Sequence, residues 1–223
     1  MLVAGDLVKK CSITLKDPEF VRWSEAELLA YLDEAQKEIA RNPGANTKSV
    51  LLSLIEGTKQ ALPDDTYLLV SVVRNWVDDE PRNPVRITTR ALLDSFEPEW
   101  HVSPRQQLVE NYIYDDRTPR TFFVYPPNDG TGQVELLYSG VPPRVTSVED
   151  VLELRDEFET PLMMFMLYRA YTVDSDYSAG LGLASQFYSS YTASLNTAMT
   201  AVGASTPNAA LVKGAAKGNG GTE

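Results

Sequence analysis

Seven residues without a polar break, Leu162-Met163-Met164-Phe165-Met166-Leu167-Tyr168, limit the folds open to this chain more than any other feature. A helix on a protein surface shows an apolar stripe, whereas a run that is apolar all round has to be enclosed by other elements. Pro161 fits the first turn of such a helix, where its missing N–H costs nothing, with Thr160 before it as the expected N-cap. Arg169 lies inside the apolar register and needs a carboxylate or carbonyl partner. After a turn at 173–178, with Asp174, Asp176 and Ser178 as candidate caps, Ala184, Tyr188, Tyr191 and Leu195 recur at spacings of three and four. That spacing predicts a second helix whose aromatic face lies on the first, a helical hairpin over 161–199.

Upstream, Ser24-Glu25-Ala26-Glu27 is a capping box, with Trp23 and Leu28 placed for a hydrophobic staple. Leu28, Leu32, Ala35 and Ile39 mark one buried helix face, and Asn42-Pro43-Gly44 stops it. Before it, Leu2 to Val8 form a short apolar piece and Ser12 to Leu15 read as strand-like. Beyond it the period changes. Val50, Leu52 and Leu54 alternate, turns follow at Glu56-Gly57 and at Leu62 to Asp65, and Tyr67 to Val77 suits a strand. Residues 78–84 read as a loop, Val85 to Ile87 as a short strand, and Thr89 to Phe96 as a helix capped by Thr88 or Thr89. From Val109 to Val141 the pattern predicts a three-stranded β-meander turning at Asp115 to Pro119 and at Pro126 to Gly132. Past Val202 the Gly, Ala, Ser and Asn content is too polar to offset the entropy of ordering in a free monomer.

The formal net charge of −11 argues against a surface made to grip nucleic-acid phosphates. The densest apolar run is far shorter than a membrane span. The N-terminus lacks the basic-then-apolar layout of a secretory signal. One cysteine, Cys11, excludes an internal disulfide and a multi-cysteine zinc site, so a reducing, intracellular place of synthesis is expected.

Candidate chemistry is sparse. His101 is the single histidine, in a Pro-bounded loop, which rules out a His-pair metal motif and leaves any Ser-His-Asp machine dependent on that residue. There is no G-x-S-x-G elbow. Asp64-Asp65, Asp78-Asp79 and Asp115-Asp116 offer oxygen ligands but lack the spacing of an EF-hand loop, and each sits where Asp favours turn geometry. Gly180-Leu181-Gly182 lacks the strand and third glycine of a dinucleotide fingerprint and fits close packing at a helix start. No catalytic residue, cofactor or metal site is expected.

The order of phrases resembles that of head-to-tail adaptor (connector) proteins of short-tailed bacteriophages. The resemblance is carried by Trp23 to Leu32 with Glu34-Ala35; by Glu56-Gly57-Thr58, Gln60 and Leu62-Pro63; by Val73-Arg74-Asn75 and Leu92-Leu93-Asp94; by the Pro126-Pro127 turn with Gly130, Val134 to Ser139 and Val141-Pro142-Pro143. Its strongest part runs from Pro161 through Tyr171 to Asp174 and the Tyr-rich segment beyond. It implies an α+β fold, a helical bundle with an inserted antiparallel β-domain, assembled as a ring of twelve copies between portal and tail nozzle. It also implies a place in the neck of the virion after synthesis in the host cytoplasm, a channel through which genomic DNA passes without specific binding, and no membrane partner. A flexible C-terminal arm would grip the portal through Thr206, Pro207, Asn208, Leu211, Val212, Lys213 and Lys217.

The expected organisation is 1–48 for the first segment and helix, 49–145 for the mostly β region, 146–202 for the helical hairpin, and 203–223 for the arm. Tyr112, Tyr114, Phe187, Tyr188 and Tyr191 supply more aromatic surface than one small core needs, and are candidates for the ring interface. A closed ring uses two different faces of each subunit, and an acidic lumen lets a duplex slide. Two other classes compete: a soluble module recognising a carbohydrate or peptide through its β-region, and a hydrolase built on His101 or on a cation at an Asp pair.

Overall fold

The computed structural model describes residues 1–173 and 178–204. These form an α+β chain of helices α1 (Ala4–Thr14), α2 (Glu25–Ala40), α3 (Arg90–Phe96), α4 (Glu159–Val173) and α5 (Ser178–Ala204). The strands are β1 (Thr47–Ser53), β2 (Gly57–Ala61), β3 (Thr66–Val77), β4 (Glu80–Pro84), β5 (Arg86–Ile87), β6 (Asn111–Tyr114), β7 (Thr121–Asn128) and β8 (Gln133–Gly140). The chain divides into two units, one made of Met1–Ala45 and the chain from Pro142 onward, the other of Asn46–Val141.

The helical unit is built around α4. Leu162, Met166, Leu167 and Ala170 are fully buried, and Met163, Met164 and Phe165 pack partly against the same core, so the apolar run is enclosed on most sides. α1, α2 and α5 do the enclosing. On α2 the expected face is the buried one: Leu28, Leu32, Ala35 and Ile39 have no exposure. Its start carries the full capping box, the Ser24 hydroxyl accepting from the Glu27 N–H at 3.3 Å and the Glu27 carboxylate from the Ser24 N–H at 2.9 Å. Arg169 finds its carboxylate, with Nε 3.0 Å from Glu34 Oε2 and the guanidinium 5.8 Å from the Tyr31 ring centre.

Two sequence expectations fail in this unit. Ser12 to Leu15 is not a strand, because α1 runs through Thr14 and buries Ala4, Leu7, Val8 and Cys11, a helical spacing that the intervening Lys9 and Lys10 obscure. The backbone at Gly5 approaches residue 148 closely: a Cβ there would lie 2.9 Å from the Val148 carbonyl, which accepts the Gly5 N–H at 2.8 Å. Thr160 is not the cap of α4. A 3-10 turn, Asp156–Phe158, leads directly into the helix at Glu159, so Pro161 keeps its first-turn place and Thr160 lies inside the helix.

The β unit holds two four-stranded sheets, β1-β8-β3-β4 and β2-β7-β6-β5, which share a core of Leu69, Val72, Tyr112, Phe122, Val124, Val134 and Leu136. All pairings are antiparallel except β5 with β6. The expected meander is therefore wrong in its last step. β6 and β7 pair, but β7 is already flanked by β2 and β6, so β8 crosses to the other sheet and lies between β1 and β3. Residues 80–84 also form a strand instead of a loop. β4 is a sheet edge, where the absent N–H of a proline faces outward at no cost. Asp78 and Asp79 make the two-residue turn into it, with φ of 53° and 58°, the left-handed geometry that Asp tolerates.

Three buried amides fix the long connections. Asn75 donates to the carbonyls of Asn83 (3.0 Å) and Val109 (2.8 Å) and accepts the Val109 N–H (2.9 Å). Asn128 donates to Gln106 and Gln107 and accepts from Gly130 and Gly132, and the missing side chain of Gly132 leaves room for that amide. Gln60 accepts the Ile55 N–H at 2.7 Å and donates to the carbonyls of Ile55 and Gly57. At the open end, Asn46 and Gly140 bond each other twice at 3.0 Å, closing the mouth between β1 and β8. Removing Asn75 orphans a buried N–H and leaves two carbonyls short of a donor, so Asn75→Ala is expected to lower the unfolding free energy by about 1–3 kcal/mol in urea titration. Leu136→Ala, which opens a cavity in the shared core, is expected to cost about 2–5 kcal/mol in the same measurement.

Candidate interaction surfaces

Residues that can meet a partner are those the chain does not use on itself. Of the five expected interface aromatics, Tyr112 (5% exposed) lies in the core of the β unit and Tyr191 (4%) in that of the helical unit. Tyr191 meets Phe165 edge-on at 5.2 Å, and burial pushes its phenol up to about 12. Tyr114 is half-buried, its hydroxyl accepting the Leu69 N–H at 3.4 Å. Phe187 stacks flat on Tyr171, 5.4 Å between ring centres. Tyr188 differs: it is 48% exposed, touching Tyr168 at 5.1 Å on one side and solvent on the other. Helical spacing put Tyr188 and Tyr191 on one face in the sequence, but the three-residue step between them is enough to take one inside and leave the other at the rim.

The remaining exposed surface of α5 is uncharged. Its sequence, SAGLGLASQFYSSYTASLNTAMTAVGA, contains no Asp, Glu, Lys or Arg, while each of the other four helices carries at least two. Leu181, Leu183, Ser189, Ala193, Asn196 and Thr197 are exposed along it. Gly182 has open space where a Cβ would stand, so close helix packing does not explain that glycine. The charge-free run was visible in the sequence, but only the structure shows how much of it is left uncovered.

An apolar surface of the helical unit is a groove of about 390 Å³ between α1 and residues 18–20, lined by Val8, Ile13, Pro18, Phe20 and Val148, with Lys9 and Glu25 at its rim. Ile13 is 58% exposed there. The loop that builds the groove is held by Asp17, whose carboxylate accepts the N–H groups of Trp23, Arg22 and Val21 at 2.8–2.9 Å; these bonds, Trp23 first, hold its pKa below the ordinary carboxylate value.

In the β unit, Trp100, His101, Ile113 and Phe123 line a cavity of about 420 Å³, with Arg90, Asp115, Thr118 and Thr121 around it. His101 stacks on Trp100 at 3.6 Å, and its Nδ1 lies 2.9 Å from Thr58 Oγ1. A nucleophile–base pair needs a third group that orients the base by hydrogen bonding. Here the ring plane is set by stacking on Trp100, and the buried Thr58 hydroxyl meets Nδ1 in a hydrogen bond within the β unit. Two of the three Asp pairs have a member engaged within their own unit. Asp65 accepts from Lys48 (3.1 Å) and Tyr138 (3.1 Å), and Asp115 is clamped by Arg117, whose side chain holds its carboxyl down at about 2. Cys11 is fully buried in the helical core, where burial pushes its thiol up to about 12. Among the described residues, no group of three His, Cys, Asp or Glu side chains is gathered to hold a metal ion, and no helix is long and apolar enough to cross a membrane. The expected arm residues Thr206, Pro207, Asn208, Leu211, Val212, Lys213 and Lys217, and the candidate caps Asp174 and Asp176, lie outside the described residues.

Asp33 ties α2 to the chain returning from the β unit, accepting from Lys37 Nζ (2.6 Å), Gln36 Nε2 (3.1 Å) and the Val145 N–H (3.0 Å). Burial alone would raise its pKa, but these three donors more than offset that and hold it below the ordinary value.

Two comparisons bear on what these surfaces serve. A family model described as SU10 adaptor protein matches residues 4–211, nearly the whole chain and both of its units. No curated protein matches.

The aromatic assignments separate by substitution: Tyr191→Ala is expected to cost about 3–5 kcal/mol of stability, as for a buried ring, and Tyr188→Ala less than about 1 kcal/mol, read from denaturant midpoints. A depressed carboxyl pKa gives stability that is full above the unfolded-state value, about 4, and is lost as pH falls through the folded-state value. Asp33→Asn is therefore expected to flatten the fall in stability below about pH 4, followed by thermal unfolding across an acid series.

Proposed function

This chain belongs to the SU10 adaptor protein family, and on that premise we propose that it is a structural virion protein, a head-to-tail adaptor whose copies form a ring between portal and tail nozzle. The match across nearly the full length, helical and β units alike, is the observation that carries this reading. In it the helical unit makes the body of the ring, probing its neighbours with exposed groups such as Tyr188, and the β unit is an insertion facing a neighbour or the nozzle. The segment after Ala204, with Leu211, Val212, Lys213 and Lys217, reaches the portal.

The mechanism is passive. The net charge of −11 on each copy suits a lumen that repels phosphates, so a duplex slides through it without being held. No bond is made or broken by the side chains. The reading places the protein in the neck of the virion with no membrane partner and no cofactor.

Light scattering behind size-exclusion chromatography, with negative-stain microscopy, tests it: mixing with the cognate portal is expected to give a ring with a central hole, of fixed stoichiometry, near twelve copies. A monomer that ignores both itself and the portal would overturn the proposal. Leu211→Asp with Val212→Asp is expected to weaken portal capture in a pull-down. Duplex DNA is expected to bind only weakly at physiological salt.

A further inference from the structure

We infer that the uncharged outer face of α5 is the seam between neighbouring copies, and that it seats in the apolar groove between α1 and residues 18–20 of the next copy. This inference rests on the ring assembly proposed above and names the faces that build it.

A surface helix ordinarily turns a charged face to water, whereas α5 turns out small and uncharged polar residues together with Leu181 and Tyr188. Within the described chain α5 packs chiefly on α4, with a smaller contact to the 3-10 turn, and its far side stays open at Leu181, Tyr188, Ser189, Ala193, Asn196 and Thr197. Small residues let another backbone come close, while Leu181 (57% exposed) and Tyr188 (48%) provide apolar anchors.

Charge selects the occupant. Two copies each bearing −11 repel one another, and a contact repeated around a ring must avoid setting like charges face to face. The far side of α5 is a long surface, among the described residues, on which the chain can meet itself without that cost. A basic partner would be drawn instead to the acidic surfaces, which this chain has in excess.

Symmetry selects the counter-face. If α5 met α5, the contact would be isologous and close at a dimer; a ring needs two different faces. The groove is the apolar recess of the same helical unit, at about 390 Å³ large enough for an aromatic side chain, with Ile13 and Phe20 in its wall and one charge of each sign, Lys9 and Glu25, at its rim. A tyrosine at the position of Tyr188 suits it: the ring fills apolar space and the hydroxyl reaches the polar rim.

The test uses the full chain, alone and with its portal, in sedimentation and light scattering. Ser189→Asp with Asn196→Asp adds two negative charges to exposed positions of α5 and is expected to weaken self-association at least about tenfold, with the helix content and melting temperature retained. Ser189→Asn with Asn196→Ser, neutral changes at the same exposed positions, is expected to leave assembly unchanged. Independently, Tyr188→Cys with Ile13→Cys is expected to yield a ladder of disulfide-linked copies on oxidation, Cys11 being buried and silent. Full assembly by the charged variant, or an intact assembly whose cysteine pair gives no ladder, would overturn the seam while leaving the ring standing. Loss of portal binding with self-association intact would assign α5 to the portal and also overturn it. A wild-type chain that never assembles would remove the ring reading itself.

Discussion

The need to enclose α4 governs the helical unit. Leu162, Met166, Leu167 and Ala170 have no exposure, and the residues between them are partly buried, so α4 has to be enclosed on most of its sides. α1 and α2 from the start of the chain and α5 from its end close around it, which forces sequence segments more than a hundred residues apart into one core. The one charge in the run, Arg169, is accommodated because α2 presents Glu34 and Tyr31 to it.

Much of this was legible in the sequence because it rests on short-range rules. The capping box at Ser24, the stop at Gly44, the Thr89 cap and the buried face of α2 are set by spacing of a few residues, and the structure reproduces them. The failures share a cause. α1 is held by Gly5 against residue 148, β8 is diverted because β7 has both flanks filled, and β4 tolerates its prolines because it is an edge; each depends on a partner distant in sequence. The candidate surfaces divide in the same way. That α5 carries aromatics was plain, but whether Tyr188 or Tyr191 faces solvent is decided by where α4 lies. The groove beside α1 had no sequence signal, since α1 itself was read as a strand at its end.

Polar side chains do in the β unit what apolar ones do in the helical unit. Gln60, Asn75 and Asn128 are nearly or fully buried, and each saturates backbone groups of loops and strand ends. A buried amide of this kind is specific in a way an aliphatic contact is not, because a shifted loop would leave its N–H or carbonyl without a partner. The phrases that resemble other adaptors, Glu56-Gly57-Thr58 with Gln60 and Val73-Arg74-Asn75, contain two of these amides, so the likeness lies in the chemistry that shapes connections.

The pair of hydrogen bonds between Asn46 and Gly140 has an evolutionary side. Because the first and last strands of the β unit are zipped together at its mouth, the 96 residues from Asn46 to Val141 leave and re-enter the polypeptide at almost one point. A short linker could span that gap with little loss of chain entropy, which makes the segment an exchangeable cassette.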